Sequence, residues 1–256
     1  MVILSCRPLF LFFIFFLPAI SASAQFKNGK YDQHSFLLGL LNEYMGYQRT
    51  FVEGGFYYQK VDILHKSELN LAVFLDSLFS PLYPDITIAN NGAPMGIKLY
   101  SPALAVKIDE YYQYKPDFRR THRGDTLFTG KLRAEKLETR RQKLSLLLGA
   151  YVRFAADEKR KDIIVQSLMR DNLVTPEVFA DGFYILSMPN APAKAEICTN
   201  FLKNLDCESV QYVVRKGYIP GGHYIIFRPG QNLKELITDG DQLRKHIAAI
   251  KTDRAK

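Results

Sequence analysis

Residues 183–227 read FYILSMPNAPAKAEICTNFLKNLDCESVQYVVRKGYIPGGHYIIF, and this stretch decides the fold class. The runs FYIL, VQYVV and HYIIF are apolar, aromatic and β-branched, which predicts three buried strands. Between the first two runs, a segment with an early proline places apolar side chains at helical spacing, and proline is tolerated at the start of a helix. A second helical pattern covers residues 233–250. The order β-α-β-β-α is typical of a ferredoxin-like, split β-α-β unit, so we predict such a module over residues 182–256.

The preceding part of the chain, residues 25–181, carries mainly helical patterns. We predict a mainly α-helical body with one short hairpin at residues 50–59, where aromatic and β-branched residues flank two glycines. The longest helix is expected to begin near Thr129 and to end at about Asp157. No flexible linker separates this body from the C-terminal module, which leaves open that the two share one core. The whole chain is therefore predicted to be an α+β protein.

The first 24 residues have the layout of a secretory signal. Arg7 is their only charge, the run LFLFFIFFL at residues 9–17 is apolar, and Ala22-Ser23-Ala24 has the small-residue pattern of a cleavage site. The apolar run is much shorter than the ~20 residues that span a bilayer, and Pro18 ends it. We therefore expect cleavage after Ala24 and export to the periplasm or the extracellular space, the alternative being an uncleaved anchor. No transmembrane segment is expected after cleavage.

The net charge of +8 is concentrated in one segment. Residues 115–143 hold ten basic and four acidic residues, so this segment alone carries a charge of +6. If the predicted long helix forms, positions 133, 136, 140 and 143 lie on one of its faces, because they are three or four residues apart. The residues predicted to bind an anionic partner are Arg119, Arg120, Arg133, Lys136, Arg140, Arg141 and Lys143.

A basic stripe of this kind attracts anionic surfaces and polymers without selecting among them. An exported chain is not expected to meet nucleic acid, so the predicted partners are anionic lipid, an anionic glycan or an acidic protein face. The alternative is an ordinary solvated helix face, in which Glu135 and Glu138 neutralise part of the charge.

Two cysteines remain after the signal, Cys198 and Cys207. In an oxidising compartment they could form a disulfide. The alternative is two buried free thiols, since free cysteine is among the most buried residue types. Their spacing does not match that of a zinc site, and no metal or other cofactor is predicted.

No catalytic motif assigns an activity to the chain. The GxSxG, HExxH, P-loop, SxxK, EF-hand and GxGxxG patterns are all missing from the sequence. The weak catalytic candidates are His223, at the start of a predicted strand beside a glycine-rich turn, and His122 with Asp125 in the basic segment. We therefore predict a non-catalytic protein of the cell envelope that binds or scaffolds. The alternative is an exported hydrolase whose acid and base residues come together only in the folded chain.

In the order and length of its elements, the C-terminal module resembles the sporulation-related repeat, a family that binds peptidoglycan. FYIL at residues 183–186 and HYII at residues 223–226 stand where the paired strands of that family stand. The resemblance covers roughly a third of the chain, and Ser187-Met188-Pro189 replaces the family's glycine–aromatic signature. It implies peptidoglycan binding by the C-terminal module as a further alternative.

Overall fold

The structure is a computed structural model of the chain. It describes residues 26, 28–44, 46–52, 55–56, 60–90, 96–122, 125–179, 182–216 and 222–250. The expected signal at residues 1–24 and its cleavage site lie outside the described residues.

Within the described ranges the chain forms seven α-helices and ten strands. The helices are α1 (Gln33–Leu40), α2 (Leu69–Phe79), α3 (Pro102–Asp109), α4 (Arg140–Phe154), α5 (Glu158–Arg170), α6 (Pro192–Asn204) and α7 (Gln231–Ala249). The strands are β1 (Tyr47–Val52), β2 (Gly55–Phe56), β3 (Lys60–Leu64), β4 (Thr87–Asn90), β5 (Ile97–Tyr100), β6 (Tyr112–His122), β7 (Asp125–Leu132), β8 (Tyr184–Pro189), β9 (Cys207–Arg215) and β10 (Gly222–Pro229). Short 3-10 turns lie at Lys66–Glu68, Ala134–Lys136 and Pro176–Phe179. This mixture of helices and antiparallel sheets agrees with the predicted α+β class.

The part that precedes residue 181 is not mainly helical, because seven strands form two antiparallel sheets there. The larger sheet has the order β2-β1-β7-β6, and the smaller has the order β3-β5-β4. The hairpin expected at residues 50–59 is present, since Phe51 pairs with Phe56 and Val52 with Gly55.

The helix predicted from Thr129 to Asp157 is wrong in its first third. Residues 125–132 form β7, which pairs with both β1 and β6, and Leu132 is buried while Lys131 is exposed, as the two-residue period of a strand requires. Helix α4 begins after Thr139, whose hydroxyl accepts from Gln142 N at 3.1 Å while Gln142 Oε1 accepts from Thr139 N at 3.0 Å. This capping box is the sequence signal of the actual helix start.

In the C-terminal part, β10 lies between β8 and β9 and pairs antiparallel with both. Because both pair antiparallel with β10, strands β8 and β9 run in the same direction on either side of it. Helix α6 connects these two strands. Leu186, on one face of the sheet, belongs to the main core. On the other face, Ile185 and Ile226 pack in one cluster with Ile164 and Leu168 of α5. Helices therefore cover both faces of this sheet.

The main hydrophobic core crosses the boundary near residue 181. It extends from Phe26 to Leu243 and gathers side chains of α1, α2, α4, α6 and α7. Helix α4 is central, since it contacts α1, α6, α7 and β8. None of the described helices is long and apolar enough to cross a membrane.

Helices α1 and α4 approach each other at two glycines. A Cβ atom on Gly39 would lie 2.1 Å from Leu146 O, and one on Gly149 would lie 2.0 Å from Phe36 O. Both distances are far below van der Waals contact. The two backbones can meet only because neither residue has a side chain.

We expect Gly149→Ala to destabilise the protein, although alanine is the better helix former. The added methyl collides with the backbone of α1, and overpacking costs about 1–3 kcal/mol or more, against a helix-propensity gain of about 1 kcal/mol. Chemical denaturation followed by circular dichroism measures the change in the free energy of unfolding. Lys159→Ala, at an exposed position of α5, is the control and should change it by less than about 0.5 kcal/mol. Equal stability of the glycine variant and the wild type would contradict the close helix packing.

Candidate functional site

The basic segment does not form one helical stripe. Arg133 precedes the 3-10 turn that contains Lys136, and only the residues from Arg140 onward belong to α4. The four positions predicted to share a helix face therefore lie on three different local structures. The prediction fails because residues 125–132 pair with β1 and β6 as a strand, and this strand includes the first residues of the predicted helix.

Three of the predicted cations are held by contacts within the protein. Arg133 Nε lies 2.9 Å from Glu135 Oε1. Arg141 donates to a backbone carbonyl at 3.3 Å. The ammonium of Lys143 lies 5.5 Å from the centre of the Phe201 ring, a cation–π contact on the flank of α6.

Four other cations of the segment are exposed, namely Lys115, Lys131, Lys136 and Arg140. The register of β6 and β7 places Lys115 opposite Thr129 and Lys131 opposite Gln113, so the two lysines lie on the same face of the sheet. Lys136 follows in the 3-10 turn, and Arg140 stands at the first position of α4. Among the described residues, none of these four cations has a carboxylate within ion-pair distance. We call them the basic surface.

The hairpin of β6 and β7 carries further predicted residues. Arg119 and Arg120 lie in β6, and the strand register places His122 opposite Asp125. The side chains of these four residues lie outside the described part of the structure. A catalytic role for His122 with Asp125 therefore stays a prediction.

His223 is a buried residue of β10 and not an open acid–base group. Its Nδ1 lies 2.6 Å from Tyr212 Oη, and the two rings stack 5.9 Å apart. Burial lowers the pKa of His223, and the charge of Glu196 opposes this shift. Arg215, on the neighbouring strand, is directed to Asp171, with Nε 2.5 Å from Oδ2. The imidazole is thus a neutral partner of a tyrosine hydroxyl.

Cys198 and Cys207 are both free thiols, so the alternative of a disulfide is not realised. Cys198 is fully buried in α6, and Cys207 is half-buried at the start of β9. Burial raises the pKa of both thiols to about 12. Both are protonated at neutral pH, so neither is a ready nucleophile.

Sequence reasoning missed a group of buried charges at the carboxyl end of α1. Lys194, on α6, has no exposed surface. Its ammonium donates to Leu41 O at 2.6 Å and lies 3.2 Å from Glu43 Oε1. Tyr112 Oη donates to the same carboxylate oxygen at 2.6 Å. The cation is therefore neutralised and also occupies a carbonyl at the end of the helix.

Arg153, on α4, donates to the carbonyl of the preceding residue at the same helix end. Its Nη1 donates to Leu40 O at 2.5 Å and to Asp62 Oδ2 at 2.7 Å. Its Nε and Nη2 each lie 2.9 Å from one oxygen of Glu68. This bidentate pair joins α4 to the turn that precedes α2, and the Asp62 bond joins it to β3.

A third buried cation, Arg49 of β1, holds the larger sheet to its neighbours. Its Nε lies 3.1 Å from Asp109 Oδ1, at the end of α3, and its Nη1 donates to Lys60 O at 2.7 Å. Its Nη2 donates to Tyr47 Oη at 2.8 Å. Burial raises the pKa of Tyr47, so this phenol stays a neutral hydrogen-bond acceptor.

A cleft of about 290 Å³ opens beside the Arg153–Glu68 pair. It lies where the turn before α2, the start of α5 and strand β8 meet. Its polar and apolar walls include Asn42, His65, Ser67, Phe154, Arg160, Ser187 and Pro189. No group of His, Cys, Asp and Glu side chains suited to a metal ion occurs among the described residues.

No model of a known protein family matches this chain, and comparison with curated proteins and with solved structures also finds no match.

Replacing Lys194 by methionine should destabilise the protein by about 3–5 kcal/mol, because Glu43 is then an unpaired buried charge. Adding Glu43→Gln should restore part of this loss. The free energies of unfolding of the two single variants and the double variant, measured in urea, give the coupling energy of the pair. Lys203→Met, at an exposed position of the same helix, is the matched control and should have little effect. Purely additive losses would contradict the ion pair.

Two imidazoles, the buried His223 and the half-buried His34, predict a loss of stability at acidic pH. Burial lowers the pKa of His223 and of His34 below the ordinary value of 6.5. The unfolded chain therefore binds protons more readily than the folded one, and the free energy of unfolding falls as the pH drops below about 6.5. The variant His223→Gln should show a smaller fall between about pH 7.5 and pH 5.5 than the wild type does. An unchanged fall would assign the acid sensitivity to other groups.

Proposed function

We propose that this chain is an exported, non-catalytic binding protein that holds an anionic partner on its basic surface. The proposal rests on the exposure of four cations on successive elements of the chain, namely Lys115, Lys131, Lys136 and Arg140. None of them has a carboxylate partner among the described residues. By contrast, the buried cations Arg49, Arg153 and Lys194 each have a carboxylate partner. Unpaired surface cations focus a positive potential that attracts anionic surfaces.

The start of α4 supports this role. Its first turn contains no acidic residue and holds Arg140, Arg141 and Lys143. Positive side chains at the positive end of a helix are repelled by the helix dipole. An anion bound there would be attracted by both the helix end and the side chains.

The shape of the surface favours an extended partner. Lys115 and Lys131 lie on a sheet face, and the strand β6 continues beyond them through Arg119 and Arg120 toward the hairpin end. Cations spread along a hairpin suit a phosphate-bearing lipid or glycan surface better than a single small anion. We place this contact in the periplasm or the extracellular space, on the signal-like layout of residues 1–24.

We also propose that residues 182–256 are a ferredoxin-like unit that serves as a structural support. The order β8-β10-β9 with α6 as the crossover supports this assignment. Because α5 covers the face that includes Ile185 and Ile226, that face is occupied by the protein itself.

The test is co-sedimentation of the chain lacking residues 1–24 with vesicles of phosphatidylglycerol and phosphatidylcholine, over a series of salt concentrations. One variant changes Lys115, Lys131, Lys136 and Arg140 to serine. The matched control changes four exposed lysines elsewhere, Lys159, Lys203, Lys234 and Lys245, and so alters the net charge equally. We expect binding that weakens with salt, that drops at least about tenfold in the first variant, and that is nearly intact in the control.

An equal loss of vesicle binding in both variants would mean that binding depends on net charge alone, and would contradict a defined basic surface. Failure to bind anionic vesicles, with binding to peptidoglycan sacculi by all three proteins, would instead assign the function to the C-terminal module.

A further inference from the structure

The cleft beside the Arg153–Glu68 pair is built from segments distant in the sequence. Asn42 follows α1, His65 and Ser67 belong to the turn before α2, Arg160 stands in the first turn of α5, and Ser187 lies in β8. Its volume of about 290 Å³ is at the lower end of the range for small-ligand sites. The polar groups converge from four segments of the chain, which is the usual construction of a binding site.

Arg160 is the cation of this cleft that has no carboxylate partner among the described residues. One of its N–H groups donates to Ser187 Oγ at 3.2 Å. No carboxylate among the described residues lies within ion-pair distance of it. A guanidinium presents five N–H donors, so most of its donors are left for a partner.

The carboxylate in the cleft wall does not supply that partner. Both oxygens of Glu68 are engaged by Arg153, and Glu68 Oε2 also accepts from His65 N at 2.6 Å. Arg153 is itself shared between Glu68 and Asp62, so its donors are occupied and Arg160 is the cation of the cleft that can take an added anion.

Ser187 is a buried hydroxyl beside this charge. It is only 8% exposed on a face that otherwise carries apolar residues such as Ile185, and Arg160 is its described hydrogen-bond partner. Its oxygen accepts from Arg160, so its own proton is free to be donated. His65 also lines the cleft, and its Nδ1 accepts from Ser67 N at 3.3 Å.

We propose that this cleft binds a carboxylate borne on a small apolar body, such as an acylated amino acid or the C-terminus of a short peptide. The Arg160 guanidinium takes the carboxylate, because its planar fork matches that anion, and Ser187 donates a further hydrogen bond. Phe154 and Pro189 form the apolar wall for the remainder of the ligand. A single available cation suits a monoanion better than a phosphate dianion. This site is separate from the basic surface.

Isothermal titration with N-acetylalanine, with N-acetylalaninamide and with inorganic phosphate tests the proposal. We expect binding of the carboxylate and much weaker binding of the amide and of phosphate. Arg160→Gln should weaken carboxylate binding by about 10- to 100-fold, the usual effect of losing a charge-assisted hydrogen bond. Ser187→Ala should weaken it less, and Arg160→Lys should retain part of it, because the charge remains without the fork.

Arg170→Gln, at the far end of α5, is the matched control and should bind as the wild type does. Thermal melting of each variant without ligand establishes that it is folded, as expected for changes of the exposed Arg160 side chain. Equal affinity for the acid and the amide, tighter binding of phosphate, or wild-type binding by a folded Arg160→Gln variant would each overturn the assignment. The variant of the basic surface should keep carboxylate binding, so failure of one proposal is distinguishable from failure of the other.

Discussion

The carboxyl end of α1 lies inside the core, and the rest of the structure depends on how its carbonyls are satisfied. An unpaired buried carbonyl is costly, and here Leu40 O and Leu41 O accept from Arg153 and Lys194. Each cation is itself balanced by buried carboxylates, which avoids the cost of an isolated charge in the interior. Helix α1 also packs against α4 at Gly39 and Gly149, where the separation leaves no room for a side chain. Since α4 and α6 each supply one of these cations, the same contacts bind the N-terminal and C-terminal parts into one core.

This arrangement divides the charges of the protein into two populations. Inside, the donors of the Arg153 guanidinium are taken by Asp62 and Glu68, so this cation is not available to a ligand in the neighbouring cleft. Outside, Lys136 and Arg140 have no such partners among the described residues, and Arg160 donates only to a hydroxyl. Folding stability accounts for the first population. The second has no evident role in stability, which is why both proposed binding sites are built from it.

The elements that local pattern could predict are those that bury a regular stripe. The C-terminal strands and helices lie close to their predicted positions because each has one clear period. Lys194 could have been identified as buried, because it stands three and seven positions before Ile197 and Phe201 on the inward face of α6. The start of α4 was also marked, by the capping box at Thr139. The strand β7 was harder to predict from local pattern, because its partner β1 is distant in the sequence.

The sequence by itself determined the α+β class, the order of the C-terminal elements and the concentration of charge between residues 115 and 143, since composition and period are local properties. Only the tertiary structure decided which of those charges stay unpaired. Arg133 pairs with Glu135 and Lys143 contacts the Phe201 ring, while Lys115 and Lys131 lie exposed on a face of the sheet. It also decided that Arg160 and Ser187, which are 27 positions apart, share one cleft. Pairing and burial depend on contacts between distant segments, and no local pattern encodes those contacts.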